Sequence, residues 1–120
     1  MTELSKNDLA RLADELTAGA DPGRCIEFVR QESRGHWHNR ARALMCRRMK
    51  HVPLTADQSR QLVDCILARL TEGRFTEQFK DQLRLARLLD SDRVDAAARG
   101  ALSNTQSHVR RYAQWILHYF

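Results

Sequence analysis

Between Ser33 and Ala56 the chain carries Arg34, Arg40, Arg42, Arg47, Arg48 and Lys50 without one Asp or Glu, and His36, His38 and His51 lie among them. The chemistry open to such a segment is the capture of anions, either phosphates or the carboxylates of another protein. The rest of the chain holds fourteen Lys and Arg against fifteen acids, so the net charge of +5 belongs to this stretch. A smaller excess follows Asp95, where Arg99, Arg110 and Arg111 meet no further acid. On a helix with Arg40 at 0°, Arg47 falls near about −20° and Lys50 near about −80°, which makes a ridge. Trp37, Ala41, Leu44, Met45, Met49 and Val52 occupy about 40° to 180°, the expected packed face. Arg48 falls inside that arc, which predicts a packed stem with a snorkelling head; a frayed helix or a buried pair with Glu27 or Asp64 are the alternatives. A helix face without acids forgoes the stabilisation of mixed pairs. Either neighbouring helices supply the missing carboxylates, from Asp57, Asp64 or Glu72, or an external partner does.

Other chemistries find less support. A zinc site needs three or four ligands converging on one ion, whereas His36 and His38 diverge on a helix and Cys46 lies two turns on. No metal site and no cofactor is implied. A Cys–His nucleophile pair such as Cys46 with His51 is conceivable, but nothing requires it and no phosphate loop or hydrolase motif accompanies it. No catalytic residue is assigned. Cys25, Cys46 and Cys65 lack metal or redox spacing and read as small apolar residues. Asp8, Asp21, Asp57, Asp90 and Asp92 read as helix caps. Trp37, Tyr112, Trp115, Tyr119 and Phe120 fall on core phases rather than on a stacking surface.

The elements that must position the ridge are helices. Ser5 with Asp8 makes a capping box behind Leu4, and Leu9, Leu12, Ala13 and Leu16 repeat at helical steps until Gly19. Asp21-Pro22 opens a short helix, and a break at Ser33 to Gly35 precedes a third from about Trp37 to Lys50, ended by Pro53. Thr55 with Gln58 caps the fourth, whose Leu62, Val63, Ile66, Leu67 and Leu70 share one face; Gly73 ends it. Thr76 starts a fifth and Asp90 to Asp92 cap a sixth. A seventh, from about Gln106 to Tyr119, is apolar over most of its circumference. Only five Gly and two Pro punctuate the chain, and seven helices leave no room for strands.

One stretch carries a family likeness. "LSNTQSHVRRYAQWIL", Leu102 to Leu117, resembles the second helix of a HEAT or armadillo-type repeat with the turn before it. Asn104 stands where that family has Asp, and Val109-Arg110, Ala113 and Leu117 follow at the family's spacing. "NRARALMC" and "LLDSDRVDAAARGAL" are poorer copies, with Asn39 in place of Val and Asp95 in place of Arg. Candidate pairs at 21–51, 55–90 and 91–119 have an irregular period. The resemblance implies a scaffold that binds macromolecules and implies no chemistry.

The expectation is therefore a single all-α domain over residues 1–120. Residues 1–19 form a capping helix and 21–120 helix pairs, arranged as a HEAT-like right-handed solenoid or a compact bundle. Arg40, Arg47, Lys50, Arg110 and Arg111 are the expected binding residues. An acidic protein is the favoured partner, with the phosphate backbone of a nucleic acid as the alternative. No apolar run approaches the roughly 18 residues of a membrane span, and the polar, acidic start lacks a secretory leader, which makes the cytoplasm the default compartment. The oligomeric state stays open.

Overall fold

In a computed structural model that describes residues 5–33 and 36–119, the chain is all helical, without a strand among those residues. Leu4, Arg34, Gly35 and Phe120, which figured in the expectations above, lie outside the described residues, as do the side chains of His36 and Glu77. Seven helices are described: α1 Lys6–Thr17, α2 Gly23–Arg30, α3 His36–Met49, α4 Ala56–Glu72, α5 Lys80–Leu89, α6 Ser91–Ala101 and α7 Ser107–Leu117.

Their ends follow local chemistry. Ser5 and Asp8 close a capping box on α1 with bonds of 3.1 Å each way, and Thr55 and Gln58 do the same on α4 at 3.0 Å. Gly73 ends α4 in the left-handed region at φ 74°. Asp90 caps α6 by accepting the Arg93 N–H at 3.2 Å. Two starts differ from the expectation. Asp21 accepts from Gly23 N at 3.1 Å, but Pro22 is the residue before the first helical one, so α2 begins one position later. Thr76 caps nothing with its side chain: a 3₁₀ turn over Glu77–Phe79 intervenes and α5 starts at Lys80. That turn folds Phe79 into the core, where it stacks on Phe75 with ring centres 4.4 Å apart.

Helices of like parity lie side by side. α3 packs between α1 and α5, while α4 packs between α2 and α6, and sequential helices other than α3 and α4 bridge the two rows. α7 packs on α6, α5 and also α4. The last of these contacts has a specific cause. Asn104, Gln106 and His108, from the turn before α7 and its first residues, bond the terminal carbonyls of α4 at Thr71, Glu72 and Gly73, at 3.1, 3.2 and 2.9 Å. These are carbonyls that a helix end otherwise leaves unsatisfied. A carbonyl only accepts, so Nε2 of His108 carries the proton. The radius of gyration, 14.0 Å, is near the roughly 13.6 Å of a close-packed chain of this length.

The packed face of α3 overlaps the one its apolar residues suggested only at Met45 and Met49. Met45, Met49, Cys46, Ala43, His38 and Arg42 are its buried side chains, spanning about 140° to 300° on the scale above. Trp37, Ala41 and Leu44 are only half-buried. Two polar residues therefore occupy the core side of the helix.

Candidate functional site

Those two are held by the α2–α3 connection. Arg42, 3% exposed, donates Nη2 to the carbonyls of Gln31 and Ser33 at 2.9 and 2.7 Å and to Ser33 Oγ, and Nη1 to Asn39 at 3.0 Å. Its guanidinium lies 5.1 Å from the centre of the Phe28 ring. Arg69 of α4, also 3% exposed, reaches the same Gln31 carbonyl at 2.9 Å and Gln82 at 2.9 Å, with Glu32 3.5 Å from its Nε. Burial, with the charge of Arg69 beside it, lowers Arg42 to about 10, so it remains cationic at neutral pH. Partial burial opposes ionisation of Glu32, but its bond to Arg74 and the charge of Arg69 outweigh that and hold its carboxyl below the usual range. His38 Nδ1 lies 3.0 Å from Ser33 Oγ, with its ring edge-on to Trp37 and Phe28. Arg42 and His38 thus fasten a loop and leave the binding face to other cations.

Arg40 and Arg47 do share the solvent side of α3, two helical turns apart. They form one wall of a groove of about 520 Å³, floored by Ala43 and Leu44 and walled opposite by Gln78, Lys80, Asp81 and Arg84. The 3₁₀ turn and the first two turns of α5 supply that second wall. Four cations and one carboxylate thus line the same groove. Asp81 receives Arg84 Nη1 at 3.3 Å and lies 3.6 Å from Arg47 Nε, while Arg40 has no partner among the described residues. Arg84 stacks on Trp115 and Tyr119 at 5.1 Å each, and the Lys80 ammonium sits 5.0 Å from the Trp115 ring. The arrangement can hold anions beside a small apolar surface.

The other expected binding residues sit elsewhere. Lys50 is half-buried just past the end of α3, in the turn that follows Met49. Arg110 bonds the carbonyls of Asn104 and Thr105 at 2.7 and 3.1 Å, so it closes the turn before its own helix. Arg111 is exposed, but α3 and α7 do not touch, because α5 stands between them. The carboxylates named as candidate neutralisers are engaged with other cations: Asp57 with Arg60, Asp64 with Arg93, Glu72 with Arg74. Arg48 pairs with Asp14 of α1 at 2.5 Å, not with Glu27 or Asp64.

Lys80, Asp81 and Arg84 were not singled out by the sequence. Their spacing on α5 is that of any solvated helix face, and only the packing of α5 on α3 gives them a role. Cys46 is wholly buried and burial pushes its thiol up, while His51 is exposed beyond the end of α3. That withholds the thiolate a nucleophile needs. Among the described residues no three His, Cys, Asp or Glu side chains gather as a metal site, and no helix is long and apolar enough to cross a membrane.

Comparison with family models, curated proteins and solved structures finds no match.

Proposed function

We propose that this protein is a non-enzymatic interaction module whose α3–α5 groove engages an acidic segment of a partner protein. The observation that carries the reading is the groove's composition: Arg40, Arg47, Lys80 and Arg84 with the single carboxylate of Asp81, over the apolar Ala43 and Leu44. Acids interspersed with apolar residues match this surface. A continuous phosphate backbone would have to pass the Asp81 carboxylate, and it would find no unbroken track to Arg110, which is turned to its own carbonyls. The two rows of helices support a short HEAT-like stack of pairs, with the α1–α3–α5 row presenting the groove.

The test uses a fluorescent peptide of alternating Glu-rich and Leu-containing turns, set against duplex DNA and single-stranded RNA, all at about 50 mM salt. The peptide is expected to bind, and Arg40→Glu with Arg47→Glu to abolish binding while circular dichroism stays unchanged. Tighter binding to nucleic acid, with an affinity falling steeply with salt, would overturn the reading in favour of phosphate contacts.

A further inference from the structure

Asp81 is the one carboxylate lining a groove whose other charged residues are cations, and its own ion pairs are long. Its side chain is only 17% exposed, yet Arg84 approaches no closer than 3.3 Å and Arg47 stays at 3.6 Å, outside hydrogen-bond reach. Three ion pairs elsewhere are tighter, at 2.5 Å for Arg48–Asp14, 2.7 Å for Arg93–Asp64 and 2.7 Å for Arg74–Glu32, while Arg69–Glu32 at 3.5 Å and Arg11–Asp8 at 3.9 Å are as loose as those of Asp81. Charge-assisted bonds of this kind run to about 2.7–2.9 Å when fully formed. Arg47, whose side chain is 58% exposed, keeps its terminal nitrogens turned to no other carboxylate among the described residues. Arg84 has a different anchor. Trp115 and Tyr119 hold its guanidinium, and its buried Nε has no hydrogen-bond partner. Arg84 therefore stays in place whether or not Asp81 is charged, whereas Arg47 is free to turn to another acid.

We infer that Asp81 is an internal stand-in for the acid of the docking segment. On binding, Arg47 passes from Asp81 to a carboxylate of the partner, and Asp81 remains with Arg84 alone. The inference rests on the docking reading above and adds the chemistry of the ligand. Arg40 and Arg47 are seven residues apart, about 10.5 Å along α3, with Leu44 between them. The matching partner is an acidic amphipathic helix with carboxylates two turns apart and an apolar residue in the intervening turn. Asp81 opposes single acids through its own charge, so two acids held at this spacing are needed to outcompete it. This excludes weakly acidic partners.

The probe is a labelled helical peptide carrying Glu at two positions seven apart with Leu four residues after the first, titrated by anisotropy at about 50 mM salt. Asp81→Asn is expected to bind roughly fivefold tighter than the unmodified protein, the scale of one half-exposed ion pair. The gain should vanish when Arg47→Gln is added. Asp81→Ser, which keeps a polar residue in the first turn of α5, gives the same comparison should the Asn variant fold poorly. Binding by the unmodified protein that neutralising Asp81 leaves unchanged or weakens would overturn the inference alone, since Asp81 would then be a buttress of the site. No binding by any of these proteins would overturn the docking reading and the inference together.

Discussion

Arg42 shows at the scale of one residue why the basic segment was misread. In the sequence it is one of six cations in an acid-free run, indistinguishable by type from Arg40 and Arg47. In the fold it is 3% exposed and makes four hydrogen bonds, because the α2–α3 connection turns two backbone carbonyls inward and they need a donor. A guanidinium is the one side chain that reaches several such acceptors in one plane. No periodicity argument could find this, since hydropathy assigns Arg and His to solvent; it placed Met45 and Met49 at one edge of the packed face of α3 and left Cys46, Ala43, His38 and Arg42 out of it. Two of the three ridge residues were legible: Arg40 and Arg47 lie outside both the expected and the observed packed arcs and are exposed, whereas Lys50 falls inside the observed one and is half-buried. Arg42→Met should cost about 2–4 kcal/mol in urea unfolding, through the acceptors left unbonded at Ser33 and Asn39. Arg42→Lys should recover less than half of that, because one ammonium does not reproduce the fork. A loss below about 0.5 kcal/mol for the Met variant would mean that the Gln31–Ser33 connection stands without its clamp.

Element boundaries were the most legible level where side chains cap their own helix, as with Ser5–Asp8, Thr55–Gln58, Asp90 and Gly73. They were least legible where the cap comes from a distant segment. The α4 C-terminus is closed by Asn104, Gln106 and His108, more than thirty residues downstream, and only the assembled fold brings them there. Two glycines separate the local from the distant contribution. Gly19 and Gly73 both have positive φ, 88° and 74°, so an alanine at either should cost about 1–2 kcal/mol of backbone strain. A Cβ at Gly19 meets nothing within 4 Å, whereas one at Gly73 collides with the Gln106 amide and displaces it from Glu72. Gly73→Ala should thus be the more destabilising by about 1 kcal/mol, the net worth of the bond it breaks. Adding Gln106→Ala to both variants should erase the difference. Equal losses at the two glycines, measured by thermal unfolding, would show that the interlock adds nothing to α4.

How the whole molecule opens follows from which helices each one touches. α4 lies against α2, α5, α6 and α7, while α1 lies only against α2 and α3 and is tied to the latter by Arg48–Asp14. In a stack of helix pairs, stability is the sum of neighbour interfaces, so an end helix with two neighbours opens at lower cost than a central one with four. A closed bundle, in which each helix depends on one shared centre, opens as a single unit. Native-state hydrogen exchange distinguishes the two. The amides of Leu62 to Leu70 in α4 should be the slowest, those of Leu9 to Leu16 in α1 faster by two or more orders of magnitude, and α7 intermediate despite its terminal position, because Asn104, Gln106 and His108 dock it on α4. Asp14→Asn should speed exchange in α1 several-fold and leave α4 unchanged, since the pair it weakens crosses only the α1–α3 interface. Leu44, on the groove floor, belongs to the helix that α1 covers, so the same substitution should loosen the groove wall before it affects the rest. Uniform protection from α1 to α7, shifted together by Asp14→Asn, would mean one cooperative closed core, and the groove would then be as rigid as that core rather than set on an openable edge.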